Sequence, residues 1–152
     1  MNYTIDLLHL SQLSPHEHHD AAHAHKLARE IGTKGVWITP ILVAADTFVI
    51  LDGHHRFAAA RALGLDRIPC VLVEYDDPQL QVASWRVARR ITKGCVRRAA
   101  REGQLMPEKT SRHKLSIKYP PTYVPLYDLM HCSVRHPAIT PQIKEHKPCS
   151  TN

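Results

Sequence analysis

The sequence predicts a single α/β domain, and two observations support this. The chain has 152 residues, of which 43% are hydrophobic and 22% are charged, a balance typical of a folded domain with its own core. Short runs rich in β-branched residues alternate with segments whose apolar residues recur at helical spacing. We therefore expect a small β-sheet with helices packed against it, and not a disordered chain.

The N-terminal quarter predicts one strand followed by one helix. Tyr3–Leu10 is rich in apolar residues and predicts the first strand. Ser14, followed by proline and then by Glu17 three positions on, is typical of a helix start, with the serine as N-cap and the glutamate at position N3. Apolar residues then recur at helical spacing, and Gly32 is the predicted helix end.

The middle of the chain predicts a strand pair, a helix and a further strand. Ile38–Val43 and Phe48–Leu51 are apolar runs separated by a short polar segment, which favours two paired strands. His54–Leu63 is strongly helical and is followed by a glycine that ends it. Ile68–Glu74 predicts another buried strand.

The C-terminal half is less regular. Gln79–Arg90 is ambiguous between strand and helix, whereas Lys93–Glu102 predicts a basic helix that stops at a glycine. The chain then becomes irregular through His113, and Val124–Met130 is a last short apolar segment. We expect residues 1–130 to form the domain and residues 131–152 to form a flexible tail.

The composition limits the partners and the location of the protein. Twenty Lys and Arg against fourteen Asp and Glu give a formal net charge of +6, which favours an anionic partner. The longest uncharged stretch of the hydrophobic middle, Gly35–Ala45, is too short to span a bilayer, and the N-terminus has no signal-peptide pattern. The four cysteines form no Cys-x-x-Cys pair. We expect a cytoplasmic protein with free thiols and no membrane partner.

Histidine is unusually frequent, with twelve in the chain and six of them before residue 26. His19 and His23 are four residues apart on the predicted first helix, a spacing that can chelate a metal ion. No cysteine accompanies them, and a solvated helix surface is the reading we favour. His16 differs from the others because it precedes Glu17.

A candidate anion site follows the second strand of the predicted pair. That strand ends at Asp52–Gly53, and a helix begins at His54. Such a junction exposes helix N–H groups and the positive end of the helix dipole, which suits a phosphate. His55 and Arg56 add further donors at the same end. An ordinary turn with a helix N-cap is the alternative.

Residues 50–64, together with 68–71, resemble the core of the ParB/sulfiredoxin superfamily. Asp-Gly-His-His-Arg at 52–56 is similar to the free L-serine kinase branch. Three further segments are similar to motifs of that branch: Pro15-His16-Glu17, Trp85, and Lys-Thr-Ser-x-His at 109–113. The resemblance covers residues 5–130 and implies an α/β domain with a small mixed sheet and flanking helices.

The resemblance implies transfer of a phosphoryl group from ADP or ATP to the hydroxyl of free L-serine. Glu17 is then the general base, with a helix-capping residue as the alternative. Asp52 orients serine or lies beside Mg²⁺, which the nucleotide phosphates mainly carry, and no protein metal site is expected. Trp85 lines the substrate pocket or, alternatively, packs in the core. The nucleotide phosphates are assigned to Gly53, His54, His55, Arg56, Lys109, Thr110, Ser111 and His113, and His55 or His54 is a candidate for stabilising the transferring group.

Other readings fit the sequence less well. Sulfiredoxins carry a reactive cysteine in this turn, where the chain has His54. A ParB-like DNA-binding or regulatory protein is the leading rival, because residues 86–101 form a basic run, although a solvated helix face explains such a run equally simply. Partition-type ParB proteins add a helix-turn-helix and a dimerisation domain, for which we see no room. A nuclease ranks third, since no cluster of metal-binding carboxylates is visible. We expect a monomer or a homodimer.

Overall fold

The computed structural model describes residues 1–86 and 89–131 of the chain. Over these residues, strands and helices alternate, as the sequence predicts. In chain order the elements are β1 (Tyr3–His9), a 3₁₀ turn (Leu10–Gln12), α1 (Ala21–Lys34), β2 (Val36–Trp37), β3 (Ile41–Ala44), β4 (Ile50–Asp52), α2 (His54–Ala62), β5 (Arg67–Val73), β6 (Leu80–Ser84), α3 (Lys93–Glu102), β7 (Ser111–Leu115), β8 (Val124–Pro125) and α4 (Leu126–Leu129).

The central feature is a four-stranded mixed sheet with the strand order β1-β5-β3-β4. β3 runs parallel to β5, while the β1–β5 and β3–β4 pairs are antiparallel. Parallel pairing needs a crossover connection, which the chain makes through β4 and α2. Two further two-stranded sheets pair β2 with β8 and β6 with β7. The predicted small mixed sheet with flanking helices is confirmed.

The sheet is buried on both faces, which explains the uninterrupted apolar sequence of β3. Ile41 and Val43 belong to one core cluster, together with Trp37 and residues of α2 and α4. Leu42 lies on the opposite face in a second cluster, with residues of β5, β6 and α3. Alternate side chains of a strand point to opposite faces, so a strand covered on both sides needs apolar residues throughout.

The predicted start of the first helix is wrong. α1 begins at Ala21, where Asp20 is the N-cap and accepts a hydrogen bond from the backbone of His23 at 2.8 Å, and it ends beyond the predicted Gly32. Ser14 lies instead in an extended segment that pairs with Val49. The Ser14 backbone bonds both Phe48 O and Ile50 N, at 3.0 and 2.9 Å. Pairing with this distant segment therefore outweighs the local capping signal.

The second half of the domain agrees with the sequence in its helix and differs in its strands. α3 has the predicted bounds. The ambiguous segment from residue 79 begins with β6, and β6 pairs with β7 inside the region predicted to be irregular. Leu129 of α4 is fully buried. Apart from His131, the predicted tail lies outside the described residues.

Two cysteines fall within the described part of the chain, Cys70 and Cys95, and both are free thiols, as predicted. Within that same part, no helix has the length and apolar character needed to cross a membrane.

Replacing Gly53 by alanine is expected to lower the free energy of unfolding by about 2–4 kcal/mol. Gly53 joins β4 to α2 with a φ of 104°, and a Cβ there would lie 2.6 Å from Ile41 Cγ2. Gly35→Ala is the matched control, because Gly35 also has a positive φ but a Cβ there would meet no atom within 4 Å. We expect about 1 kcal/mol for the control. Urea unfolding measures both, and equal losses would contradict the packing explanation.

Candidate functional site

A cleft of about 600 Å³ lies where β4 ends and α2 begins. It brings together segments that are far apart in the sequence, and most of the predicted site residues line it. The lining residues are Glu17, His18, His23, Leu27, Leu51, Asp52, Gly53, His54, His55, Arg56, Trp85, Lys109 and Ser111. Of the predicted site residues, only Thr110 and His113 are absent from the wall.

The start of α2 provides backbone donors to this cleft. Gly53 is the N-cap, its left-handed backbone turns the chain into the helix, and no side chain caps the first turn. The N–H groups of the first helical residues therefore lack the side-chain acceptor that usually satisfies them. Together with the helix dipole, they make this end of α2 electropositive, which is the property that the predicted phosphate site requires.

Arg56 contributes positive charge, and contacts within the fold occupy part of its guanidinium. Its Nη1 donates to the carbonyl oxygens of Thr39 (3.2 Å) and Pro40, and its Nη2 donates to Asp52 Oδ2 at 2.9 Å. These contacts occupy at most three of the five guanidinium N–H groups, so the predicted two-oxygen grip on a phosphate would rely on the Nε–H and the second Nη2–H. Asp52 is the more exposed partner of the pair, so its carboxylate remains accessible from the cleft.

The two histidines of the turn, His54 and His55, accept hydrogen bonds from the segment that precedes α1. His54 Nε2 accepts a hydrogen bond from the backbone N–H of His16 at 3.3 Å, and His55 Nε2 accepts one from that of Asp20 at 3.1 Å. Burial lowers the pKa of His54 well below its ordinary range. Burial and the nearby His23 also lower the pKa of His55. Both rings are therefore neutral near pH 7, and they orient the turn without adding charge.

Glu17 is a buried carboxylate in the wall of the cleft, with an exposed fraction of 8%. It does not cap a helix, so the capping alternative is wrong: it lies in an extended segment and pairs with Met106. Its Oε1 accepts hydrogen bonds from both the backbone N–H and the hydroxyl of Ser111, the latter at 2.7 Å. A buried carboxylate held by two donors is oriented within the cleft rather than free to rotate.

The loop from Lys109 to His113 divides between the cleft and the interior. Lys109 and Ser111 line the cleft. Thr110 is buried, and its hydroxyl donates to Pro107 O at 2.6 Å. His113 lies behind the wall, where its Nε2 is 2.9 Å from the Tyr75 hydroxyl. The assignment of phosphate contacts to Thr110 and His113 therefore stays a prediction that this arrangement does not favour.

Trp85 lies at the mouth of the cleft with 55% of its surface exposed, so the alternative that it packs in the core is wrong. Trp37 occupies the core instead. The Arg112 guanidinium carbon is 4.3 Å from the centre of the Trp85 ring, a cation–π contact that holds the indole at the mouth. Sequence reasoning assigned Arg112 no role, because only the pairing of β6 with β7 reveals the contact.

The N-terminal histidines do not share one helix face. His19 precedes α1, whereas His23 is on it and packs edge-on against His55 with a centroid separation of 4.6 Å. Among residues 1–86 and 89–131, no group of three or more His, Cys, Asp or Glu is arranged to hold a metal ion.

At least one arginine of the basic run at residues 86–101 stabilises the fold. Arg97 donates to Asp46 at 2.9 Å and to both oxygens of Asp76 at 2.9 and 3.1 Å, and its guanidinium carbon lies 4.9 Å from the centre of the Tyr75 ring. This arginine therefore joins α3 to the turns beside β3 and β5, and its charge is already paired.

Comparison with known proteins gives the class of this fold. The chain belongs to the ParB N-terminal domain family, whose model matches residues 2–85. Solved structures agree: a free serine kinase in complex with AMP superposes with a TM-score of 0.77 at 16% identity, covering 83% of this chain and 93% of that one. C-terminally truncated SbnI from Staphylococcus aureus superposes with a TM-score of 0.68 at 15% identity, covering 82% and 88%. At these identities the likeness shows the fold.

Sequence relatives are similar over about half of this chain. A ParB-like protein of Sulfolobus acidocaldarius is 37% identical over 84 residues, which are 55% of this chain and 42% of that protein. An ATP-dependent L-serine kinase of Staphylothermus marinus is 31% identical over 83 residues, 52% of this chain and 33% of the kinase. An ADP-dependent L-serine kinase of Thermococcus kodakarensis is 29% identical over 82 residues, which are 51% of this chain and 34% of that kinase. The matched segment spans less than half of each relative.

Lowering the pH is expected to destabilise the fold through its buried histidines. Burial lowers the pKa of His113 from 6.5 to about 3, an effect that its contact with the Leu51 backbone partly offsets. The unfolded chain therefore binds a proton that the folded chain does not, so this contribution to stability is complete above pH 6.5 and is lost as the pH falls towards 3. One such group changes the free energy of unfolding by up to about 1.4 kcal/mol per pH unit.

His113→Gln should make this dependence shallower, and His25→Gln, on the exposed side of α1, should leave it unchanged. Urea unfolding at several pH values between 7 and 4 measures the slopes. A slope unaltered by His113→Gln would show that this imidazole is not held neutral in the fold.

Proposed function

We propose that this protein transfers the terminal phosphoryl group of ADP or ATP to the hydroxyl of free L-serine, giving O-phospho-L-serine. The observation that carries the proposal is the position of Glu17: an oriented carboxylate in the wall of the cleft that also contains the Gly53 turn. Phosphoryl transfer to an alcohol needs a base near the hydroxyl and donors around the phosphates, and little other covalent chemistry from the protein. The names of the kinase relatives support the same reaction.

In this proposal the nucleotide phosphates bind at the start of α2. The uncapped N–H groups after Gly53 and the side chain of Lys109, both from residues that line the cleft, are the proposed donors. Arg56 adds positive charge close to the same turn while it holds Asp52. Because His54 and His55 are neutral, the site attracts phosphate mainly through backbone dipoles and these two cationic side chains.

Glu17 is the proposed general base. The serine hydroxyl oxygen attacks the terminal phosphorus as its O–H proton passes to the Glu17 carboxylate, and the bond to the bridging oxygen breaks with its electron pair retained by the departing nucleotide. Because the carboxylate is already held in one orientation, less entropy is lost when it meets the hydroxyl of the serine substrate. Asp52 is the more exposed carboxylate of the same cleft, and we propose that it either orients the serine substrate or lies beside Mg²⁺.

Mg²⁺ is expected to enter with the nucleotide. The cleft offers two carboxylates, and since Glu17 is engaged by Ser111, Asp52 is the residue suited to a hard cation beside the phosphates. Mg²⁺ is usually bound by one or two carboxylates together with substrate phosphates, so we propose that the nucleotide carries most of its ligands. When bound, Mg²⁺ neutralises phosphate charge.

Glu17→Gln is expected to lower turnover by about 10²–10⁴-fold, because glutamine can still accept the Ser111 bonds but cannot take a proton. The protein is incubated with Mg²⁺, L-serine and either ADP or ATP, and O-phosphoserine is measured by mass spectrometry or phosphorus NMR. Glu102→Gln, at the exposed end of α3, is the control and should keep full activity. Unchanged turnover in Glu17→Gln would defeat the assignment of the base.

The same assay separates the kinase from its rival. If neither donor gives product and the protein binds duplex DNA in a salt-sensitive manner, the DNA-binding interpretation is favoured instead.

We also propose that residues 1–130 are sufficient for folding and activity. Leu126 and Leu129 are buried in the main core cluster, and Met130 pairs with Leu65. Truncation after Met130 should therefore leave the free energy of unfolding and the activity unchanged. Truncation after Tyr123 removes the two buried leucines and should cost several kcal/mol, since each deleted core leucine is worth about 2–5 kcal/mol. Thermal unfolding of the two truncated proteins tests the proposal. Loss of folding in the protein that keeps Leu126 and Leu129 would contradict it.

A further inference from the structure

Three side chains form a continuous hydrogen-bonded chain that runs from the wall of the cleft into the interior. His16 is fully buried, and its Nδ1 lies 2.6 Å from the carbonyl oxygen of Ile50. Its Nε2 lies 2.7 Å from Ser111 Oγ, and Ser111 Oγ lies 2.7 Å from Glu17 Oε1. The direct separation between His16 Nε2 and Glu17 Oε1 is 3.8 Å, so the serine hydroxyl is the link between them.

The two contacts of Ser111 Oγ each need one proton. A neutral imidazole, a hydroxyl and an ionised carboxylate together provide only one for them, so the hydrogen-bonded chain requires one additional proton. A carbonyl oxygen only accepts, so His16 Nδ1 carries a proton that points at Ile50. In a neutral imidazole Nε2 then has none, and an ionised Glu17 has none either. The single hydroxyl hydrogen of Ser111 can serve only one of its two contacts, and two unprotonated acceptors at 2.7 Å would repel each other.

We propose that His16, Ser111 and Glu17 form a proton relay, in which one titratable proton is shared between the imidazole and the carboxylate through the serine hydroxyl. The relay has two forms. In one, Glu17 is protonated and donates to Ser111, which donates to His16. In the other, the imidazolium of His16 donates to Ser111, which donates to an ionised Glu17. The backbone N–H of Ser111 bonds Glu17 Oε1 in both.

The surroundings of His16 act on its protonation in opposite directions, and burial has the larger effect. Burial lowers the pKa of His16, while Glu17 and the hydrogen bond to Ile50 act in the opposite direction. The other titratable groups facing the ring are His54 and His113, whose ring centres lie 4.6 and 5.8 Å from it. Burial also lowers the pKa of both, and their Nε2 atoms contact the His16 backbone N–H and the Tyr75 hydroxyl, so neither is linked to Ser111.

This step rests on the proposed kinase reaction. In it, the relay removes the proton from Glu17, so that the carboxylate can act as the base. The bond from Glu17 Oε1 to its proton breaks as that proton passes to Ser111 Oγ, and the original hydroxyl proton passes to His16 Nε2. Ser111 remains neutral, Glu17 becomes an anion and His16 becomes a cation. The free oxygen of Glu17 then accepts the proton of the serine substrate. His16 and Ser111 are therefore positioning residues that act through Glu17.

Nitrogen NMR of His16 in the full-length protein without nucleotide tests the relay independently of any activity. At neutral pH the wild-type Nε2 should show partial protonation. Glu17→Gln and Ser111→Ala should both move it to the position of a fully unprotonated imidazole nitrogen, and Ser111→Thr, which keeps a hydroxyl, should restore the wild-type value. Lys114→Ala, on the exposed side of β7, is the matched control and should change nothing. An Nε2 signal unaffected by Glu17→Gln would overturn the relay.

Turnover measurements provide a second test of the relay, in addition to the NMR experiment. Ser111→Ala retains the backbone N–H that orients Glu17, so it should lower kcat by about 10–100-fold while leaving the KM for nucleotide unchanged. It should also alter the acidic limb of the pH profile of kcat, and Ser111→Thr should recover both. A wild-type kcat and pH profile in Ser111→Ala would contradict the relay. A wild-type protein without kinase activity would refute the proposed function, and the NMR result would still decide the relay.

Discussion

The hydrogen bonds from Ser111 to Glu17 are the interaction on which the site depends. They join the extended segment before α1 to the start of β7, two parts of the chain with no local connection. The same segment bonds β4 through Ser14 and His16, so the carboxylate is fixed relative to the Gly53 turn. Without this bridge, a buried carboxylate would lack partners and its burial would be costly.

Electrostatics in the cleft follow from burial rather than from the number of basic residues. The histidines of the turn are neutral because burial penalises their charged form. Arg56 and Arg97 are both committed to aspartates. In the proposed kinase, attraction for an anion therefore comes mainly from the uncapped start of α2, from Lys109 and from the charge of Arg56, and of these groups the helix holds the backbone N–H donors fixed. Fixed donors suit a reaction whose chief demand on the protein is to position and stabilise phosphate charge.

How much the sequence could predict depended on how local each interaction is. α2 and α3 were predicted almost to the residue, because helical periodicity and a following glycine are local signals. Ser14 and Glu17 were misassigned to a helix, because their true partners are distant in the sequence: Phe48 and Ile50 for Ser14, and Met106 and Ser111 for Glu17. Motif similarity placed Glu17 and Ser111 in one site without revealing that they bond. It could not show that His113 faces Tyr75, or that Arg112 stacks on Trp85, since both contacts need the strand register.

The central claim is that the cleft separates two tasks, with phosphate bound at the start of α2 and the proton removed by Glu17. Calorimetric titration of ADP or ATP into the wild type and the Glu17→Gln variant, alongside their turnover with L-serine, tests it most directly. The account predicts equal nucleotide dissociation constants with turnover lost only in the variant. A variant that loses nucleotide affinity and turnover in the same proportion would show that Glu17 supports the binding site and is not the base.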